Sequence, residues 1–201
     1  PRVVVVSTQA GIRDFAELAG MQTPVNFAAP GIGSASAIET ALLVSALGLP
    51  IKVIYGYNGD HDQLAMMRGE VQGTLGSRSS FQRFVDEGHG RIVGEFGGTQ
   101  PEAPLNEAMA GSETGRGVLA LIEAQAKIAR LTAAPPGVPD DRLSALRAAY
   151  EAATKAPEFL AKANRLGLPV APAYGDDLKV VIENALDQAP EVVRYIKENA
   201  K

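Results

Sequence analysis

Residues 25–48 read VNFAAPGIGSASAIETALLVSALG. A short β-prone run, 25–29, meets Pro30. Two glycines and two serines follow, and an apolar helix is expected over 34–47. Small residues and free backbone N–H groups where a strand feeds a helix are the sequence form of an anion site. The N–H groups near Gly33–Ser36 and the serine hydroxyls would bind a carboxylate, an attraction of about 0.3–1 kcal/mol from helix-terminus electrostatics. The same stretch also suits a glycine turn in which strand and helix merely pack closely. Ser34 is a good N-cap in either case, and from the residues alone both readings stand.

Strand, glycine loop and helix in this order are also the context of dinucleotide binding. Gly31 and Gly33 fit that fingerprint, but Ser36 occupies the place of its third glycine. The following strand should end in Asp or Glu for the ribose and instead ends in Tyr55-Gly56-Tyr57-Asn58. No Gly-Lys-Ser/Thr follows a glycine loop, so there is no P-loop. A Rossmann-like nucleotide- or phosphate-binding enzyme is therefore the alternative, not the leading expectation.

Working outward, short apolar runs at 3–6, 25–29, 51–55, 71–75 and 91–96 alternate with helical stretches at 14–19, 34–47, 60–68 and 79–85. That alternation predicts an α/β fold with a mostly parallel sheet. Several of the runs are apolar almost throughout, as strands covered on both faces are. Two more strand-to-helix loops share the small polar character of the first. YGYNGD, 55–60, offers Tyr57, Asn58 and Gly59, and TLGSRSS, 74–80, offers Ser77 and Arg78. Such loops gather at the carboxyl edge of a parallel sheet, where α/β proteins bind ligands. Arg78 is the one cation in the three loops. It suits a bidentate fork on a ligand carboxylate, and equally a solvated surface position.

Beyond residue 96 the character changes. Residues 97–117 are rich in Gly, Pro, Thr and Ser and read as a surface connection. A helix is expected over 117–131. Pro139 bars helix continuation and Asp140 or Asp141 can cap the next helix, in which Leu143, Leu146 and Tyr150 share a face. Pro157, Gly175 and Pro190 open three more helices, and Gly167 suits a helix end.

The chain has 201 residues, 46% of them hydrophobic and 21% charged, with a net charge of −4. This is ordinary globular composition. No basic stripe with interleaved aromatics is present, which argues against a nucleic-acid partner. The absence of cysteine excludes disulfides, thiolate catalysis and thiolate metal sites, and it fits an oxidising compartment. No apolar run reaches the roughly 18 residues needed to cross a bilayer. Catalysis finds little support, since no Gly-x-Ser-x-Gly elbow occurs. His61 stands between Asp60 and Asp62, but neighbours at a helix start diverge and no His-x-x-x-His exists, so capping is favoured over a metal. His89, in GHGR, reads as a turn residue. No catalytic residue, cofactor or metal is expected.

Taken in order, VNFAAPGIGSAS (25–36), KVIYGYNGDHDQLAMMRGEVQG (52–73), LTAAPPGVPDDRLSALRAAYEAATKAPEFLAKANRLGLPV (131–170) and APEVV (189–193) resemble the substrate-binding receptors of tripartite tricarboxylate transporters, the Bug-type solute-binding proteins. The resemblance implies a two-lobed, type II periplasmic-binding-protein fold, a venus flytrap that closes on a small carboxylate and delivers it to membrane permease subunits. It implies a hinge strand at 1–6, a ligand-binding α/β lobe at 7–96, a connection and return crossing at 97–127, and a helical part of the other lobe at 128–201. By motif match the carboxylate contacts are Gly31, Gly33, Ser34, Ala35 and Ser36. The loops holding Tyr57, Asn58, Gly59, Ser77 and Arg78 line the same cleft.

The sequence departs from the family's pattern at GYNG, where many members read Tyr-Lys-Gly. It departs again at Ala37, where many carry His, so no imidazole contact is expected. The resemblance also implies that the N-terminal part of the first lobe, with its Pro-Gly-Gly loop, lies outside this chain, and that one lobe alone binds weakly. Apolar surface left open by that lobe is expected to favour association of copies. A periplasmic location is implied by the resemblance, no signal peptide being visible in this chain. A sensor or interaction module that has lost transport is a further alternative.

Overall fold

The computed structural model describes residues 1–97, 103–105, 109–127, 132–166, 168, 170, 172–186 and 190–199. Five strands form one sheet: β1 (Arg2–Ser7), β2 (Val25–Ala29), β3 (Ile51–Tyr55), β4 (Gly73–Ser77) and β5 (Gly90–Phe96), in the order β3-β2-β4-β1-β5. β2 runs parallel to β3 and to β4. β1 runs antiparallel to both its neighbours, β4 and β5. The sheet is therefore mixed, with one reversed strand inserted among four that point the same way.

The helices of the first half are α1 (Phe15–Gly20), α2 (Ala35–Leu47), α3 (His61–Met67) and α4 (Arg78–Asp86). β1 shows why four consecutive valines are needed. Val4 and Val6 point to one face with Phe27, Leu42, Leu43 and Leu75, while Val3 and Val5 point to the other with Met66, Phe81 and Phe84. Strand residues alternate between faces, so a strand covered on one side by the helix at Glu113–Lys127 and on the other by α3 and α4 must be apolar at every position. Gly73 lets β4 fit there: a Cβ on it would stand 2.5 Å from the Phe27 ring and 2.9 Å from the Val5 carbonyl oxygen. The carbonyl cannot swing away, so Gly73→Ala should lower stability by about 1–3 kcal/mol, as overpacking does. Urea denaturation checks this.

The second half differs from the sequence reading in three places. First, 97–117 is not simply a surface connection. Ala103 and Leu105 exchange backbone hydrogen bonds with Glu95 at the β5 edge, and Leu105 is buried over Gly94. Second, α5 (Glu113–Lys127) begins before the expected 117. Its Gly115 faces α2 closely, a Cβ there meeting the Ala46 carbonyl oxygen at 3.2 Å, so a residue that reads as loop serves a tight helix contact. Residues 128–131, the expected end of that helix, and Gly167 lie outside the described residues. Third, α6 (Asp140–Lys155) is preceded by Pro139 at the cap position, and Asp140 and Asp141 lie in its first turn without a side-chain cap bond. There they still favour the helix dipole.

α7 (Pro157–Arg165), α8 (Gly175–Leu186) and α9 (Pro190–Asn199) follow. α8 and α9 pack on α5, and α9 also on α2. α6 and α7 pack on each other and bury only Thr154 and Ala163. Leu146 (57% exposed), Phe159 and Leu160 are open to solvent, whereas on the Leu143–Leu146–Tyr150 face Leu143 is half-buried and Tyr150 meets the Tyr174 ring edge-on.

Candidate functional site

β2, β3 and β4 end at one edge of the sheet, and α2, α3 and α4 begin there. Between their starts lies a cleft of about 360 Å³. Ser34, Ala35 and Ser36 line it from the first loop, Tyr57 and Gly59 from the second, and Ser77 from the third. Four predicted residues stand off its walls. Gly31 and Gly33 form the turn before α2, Asn58 is exposed, and Arg78 Nη1 donates to Glu95 Oε2 at 2.6 Å.

The first loop is closed locally. The Ser34 hydroxyl donates to the Gly31 carbonyl at 2.7 Å, and its oxygen accepts from the Ala37 N–H at 3.3 Å. The N–H groups of Ala35 and Ser36 have no intrahelical acceptor, because a helix start leaves them free, and both residues face the cleft. Gly31 and Gly33 have ordinary backbone angles, and a Cβ on either would meet nothing within 4 Å. Close packing against the protein therefore does not account for them. The second loop is fastened to the first, with the N–H groups of Gly56 and Tyr57 donating to the Ala29 carbonyl at 3.0 and 3.2 Å. Gly56 and Gly59 have φ of 109° and 60°, a region that favours glycine.

Arg2 was not among the predicted residues. Because β1 is antiparallel, its first residue pairs with Ser77 at the end of β4 and arrives at the carboxyl edge. Arg2 lines the cleft, and its Nη1 donates to the Ser77 hydroxyl at 3.2 Å. Its Nε and Nη2 both donate to Glu39 on α2, the Nε bond being 2.9 Å. The two side chains are 12% and 6% exposed. Burial pushes the Glu39 carboxyl up, and Arg2 opposes that shift.

Asp62, Gln63, Thr74, Ser80 and the exposed Asp60 also line the cleft, with Pro30, Leu75, Gly76 and Phe81. Among the described residues no group of three metal-ligating side chains occurs. Burial, helped by the nearby Asp60, pushes the Asp62 carboxyl up to about 6, against the Gln63 N–H that it accepts at 2.7 Å. Its folded-state value is raised, so its contribution to stability is present in acid and is lost as pH rises through about 6. Asp62→Asn should then stabilise the fold by about 1 kcal/mol at neutral pH and hardly at all in acid, allowing for solvent screening. Melting curves at the two pH values check this.

No family model matches the chain, and no curated protein matches it. Solved structures do. A TctC solute-binding protein from Polaromonas, without ligand, superposes with a TM-score of 0.68 at 14% identity, over 98% of this chain and 65% of that one. MatC from Rhodopseudomonas palustris with bound malate gives 0.62 at 19% identity, over 100% and 66%. R. palustris Rpa4515 with adipate gives 0.62 at 14% identity, over 100% and 65%. At these identities the likeness is one of fold, and the chain spans about 65% of the length of the first of these structures. The chain has the α/β fold of the TctC-type solute-binding proteins.

Proposed function

We propose that this chain captures a small organic carboxylate and serves as part of an extracytoplasmic solute-binding protein for a tripartite tricarboxylate-type permease. The observation that carries this reading is the first loop. The unpaired N–H groups of Ala35 and Ser36 stand at the start of α2, and both residues line a cleft shared with two further helix starts. Preorganised N–H donors and helix dipoles are what a carboxylate needs, and two proteins of the same fold hold malate and adipate. The reading is one of binding without chemistry.

The strand at 1–6 serves in it as the hinge, 7–96 as the ligand lobe and 97–127 as the connection, with 128–201 contributing to a second lobe. The open apolar face of α6 and α7 is where that lobe's remainder, or a second copy, would pack. The periplasm is the location that goes with this role. The test is a melting-temperature screen of the full chain. Small carboxylates should raise the midpoint in a saturable way, while inorganic phosphate and a nicotinamide dinucleotide should not. A rise with the dinucleotide alone would favour the enzyme alternative and overturn the reading.

A further inference from the structure

Three residues carry the formal charge of the cleft wall: Arg2, Asp60 and Asp62. Arg2 is neutralised by Glu39, which accepts from two of its nitrogens. Arg78, the cation of the third loop, turns to Glu95. Asp60 is exposed and His61 lies exposed beside it. Asp62 is half-buried and among the described residues enters no ion pair; it accepts from the Gln63 N–H, and the neighbouring His61 only partly offsets what burial and Asp60 do to its charge. The α2 side of the cleft therefore offers N–H donors, and the α3 side offers negative charge that enters no ion pair among the described residues. A plain dicarboxylate set across this space would bring its second carboxylate to a like charge, an arrangement that discriminates against it.

We propose that the cleft takes a small carboxylate that also carries an ammonium or similar cationic group. The carboxylate rests on the Ala35 and Ser36 N–H groups and the cation rests on Asp62, which makes Asp62 the residue that sets specificity. This rests on the carboxylate-capture reading above and narrows it. Burial disfavours the bare Asp62 charge, and a ligand cation relieves that cost while gaining a charge-assisted hydrogen bond.

The experiment compares glutarate with 4-aminobutyrate, which have equal skeleton length but end in a carboxylate or an ammonium. Dissociation constants are read from amide shifts of the isotope-labelled full chain at neutral pH. 4-Aminobutyrate should bind about tenfold more tightly or better. Asp62→Asn should weaken it by about tenfold and strengthen glutarate, so that the preference disappears or inverts. Tighter glutarate binding in the parent chain, or a ratio untouched by Asp62→Asn, overturns the inference. Ser36→Trp separates the two levels. If it blocks both compounds while the ratio ignores Asp62, only the charge inference fails. If both still bind, or if neither binds the parent chain, carboxylate capture at this cleft fails with it.

Discussion

Arg2→Met is expected to destabilise the fold by about 3–5 kcal/mol at neutral pH, the range for removing one partner of a buried ion pair. The pair ties the first residue of β1 to α2 and, through Ser77, to the end of β4. Methionine leaves Glu39 with its charge and no counter-ion in a site where the side chain is 6% exposed. Glu39 is already pushed up by burial, and Arg2 is what holds it back. Without Arg2 its value climbs further, so the variant should be most stable in acid and lose stability as pH rises. Urea midpoints at pH about 5 and about 8 should thus differ far more in the variant than in the parent chain. Replacing both partners, Arg2→Met with Glu39→Leu, should recover most of the loss, since an apolar pair carries no desolvation cost. A single variant matching the parent at both pH values would remove the pair from the account.

Ser36→Trp is expected to cost about a hundredfold or more in carboxylate affinity while leaving the fold close to its parent stability. Ser36 stands half-buried on the cleft wall in the first turn of α2. Among the described hydrogen bonds its hydroxyl makes none, so its loss orphans no partner. An indole there fills the space in front of the Ala35 and Ser36 N–H groups, which removes the binding surface and not merely one contact. Calorimetry gives the affinity and a melting curve gives the stability. Unchanged affinity would place the ligand elsewhere.

The residues on either side of the first loop were readable because they obey local rules. β2 and β3 match the runs at 25–29 and 51–55, bounded by Pro, Gly and Asn. Ser34 caps α2 as its chemistry suggests. The gathering of three loops followed from four strands sharing one direction. Arg2 was not readable, because its place depends on β1 running the other way, which four valines do not reveal. A parallel β1 would have carried Arg2 to the opposite edge of the sheet. The partner of Arg78 was equally hidden. Glu95 lies within a strand, and only the packing of α4 beside β5 brings the two together. Gly115 misled for a different reason: a glycine in a helix is costly in isolation, and the close approach of Ala110, Ser112 and the Ala46 carbonyl of α2 accounts for it.

The central claim is that the helix starts at the carboxyl edge of this sheet hold a carboxylate. The sharpest test titrates the isotope-labelled chain with glutarate and, separately, with 4-aminobutyrate, and records the amide spectrum each time. Saturable shifts led by Ala35 and Ser36, with Tyr57, Ser77 and Ser80 following, are expected with at least one of the two compounds. Saturable shifts confined to other regions, or none at those five amides with either compound, would place the carboxylate elsewhere or nowhere on this chain.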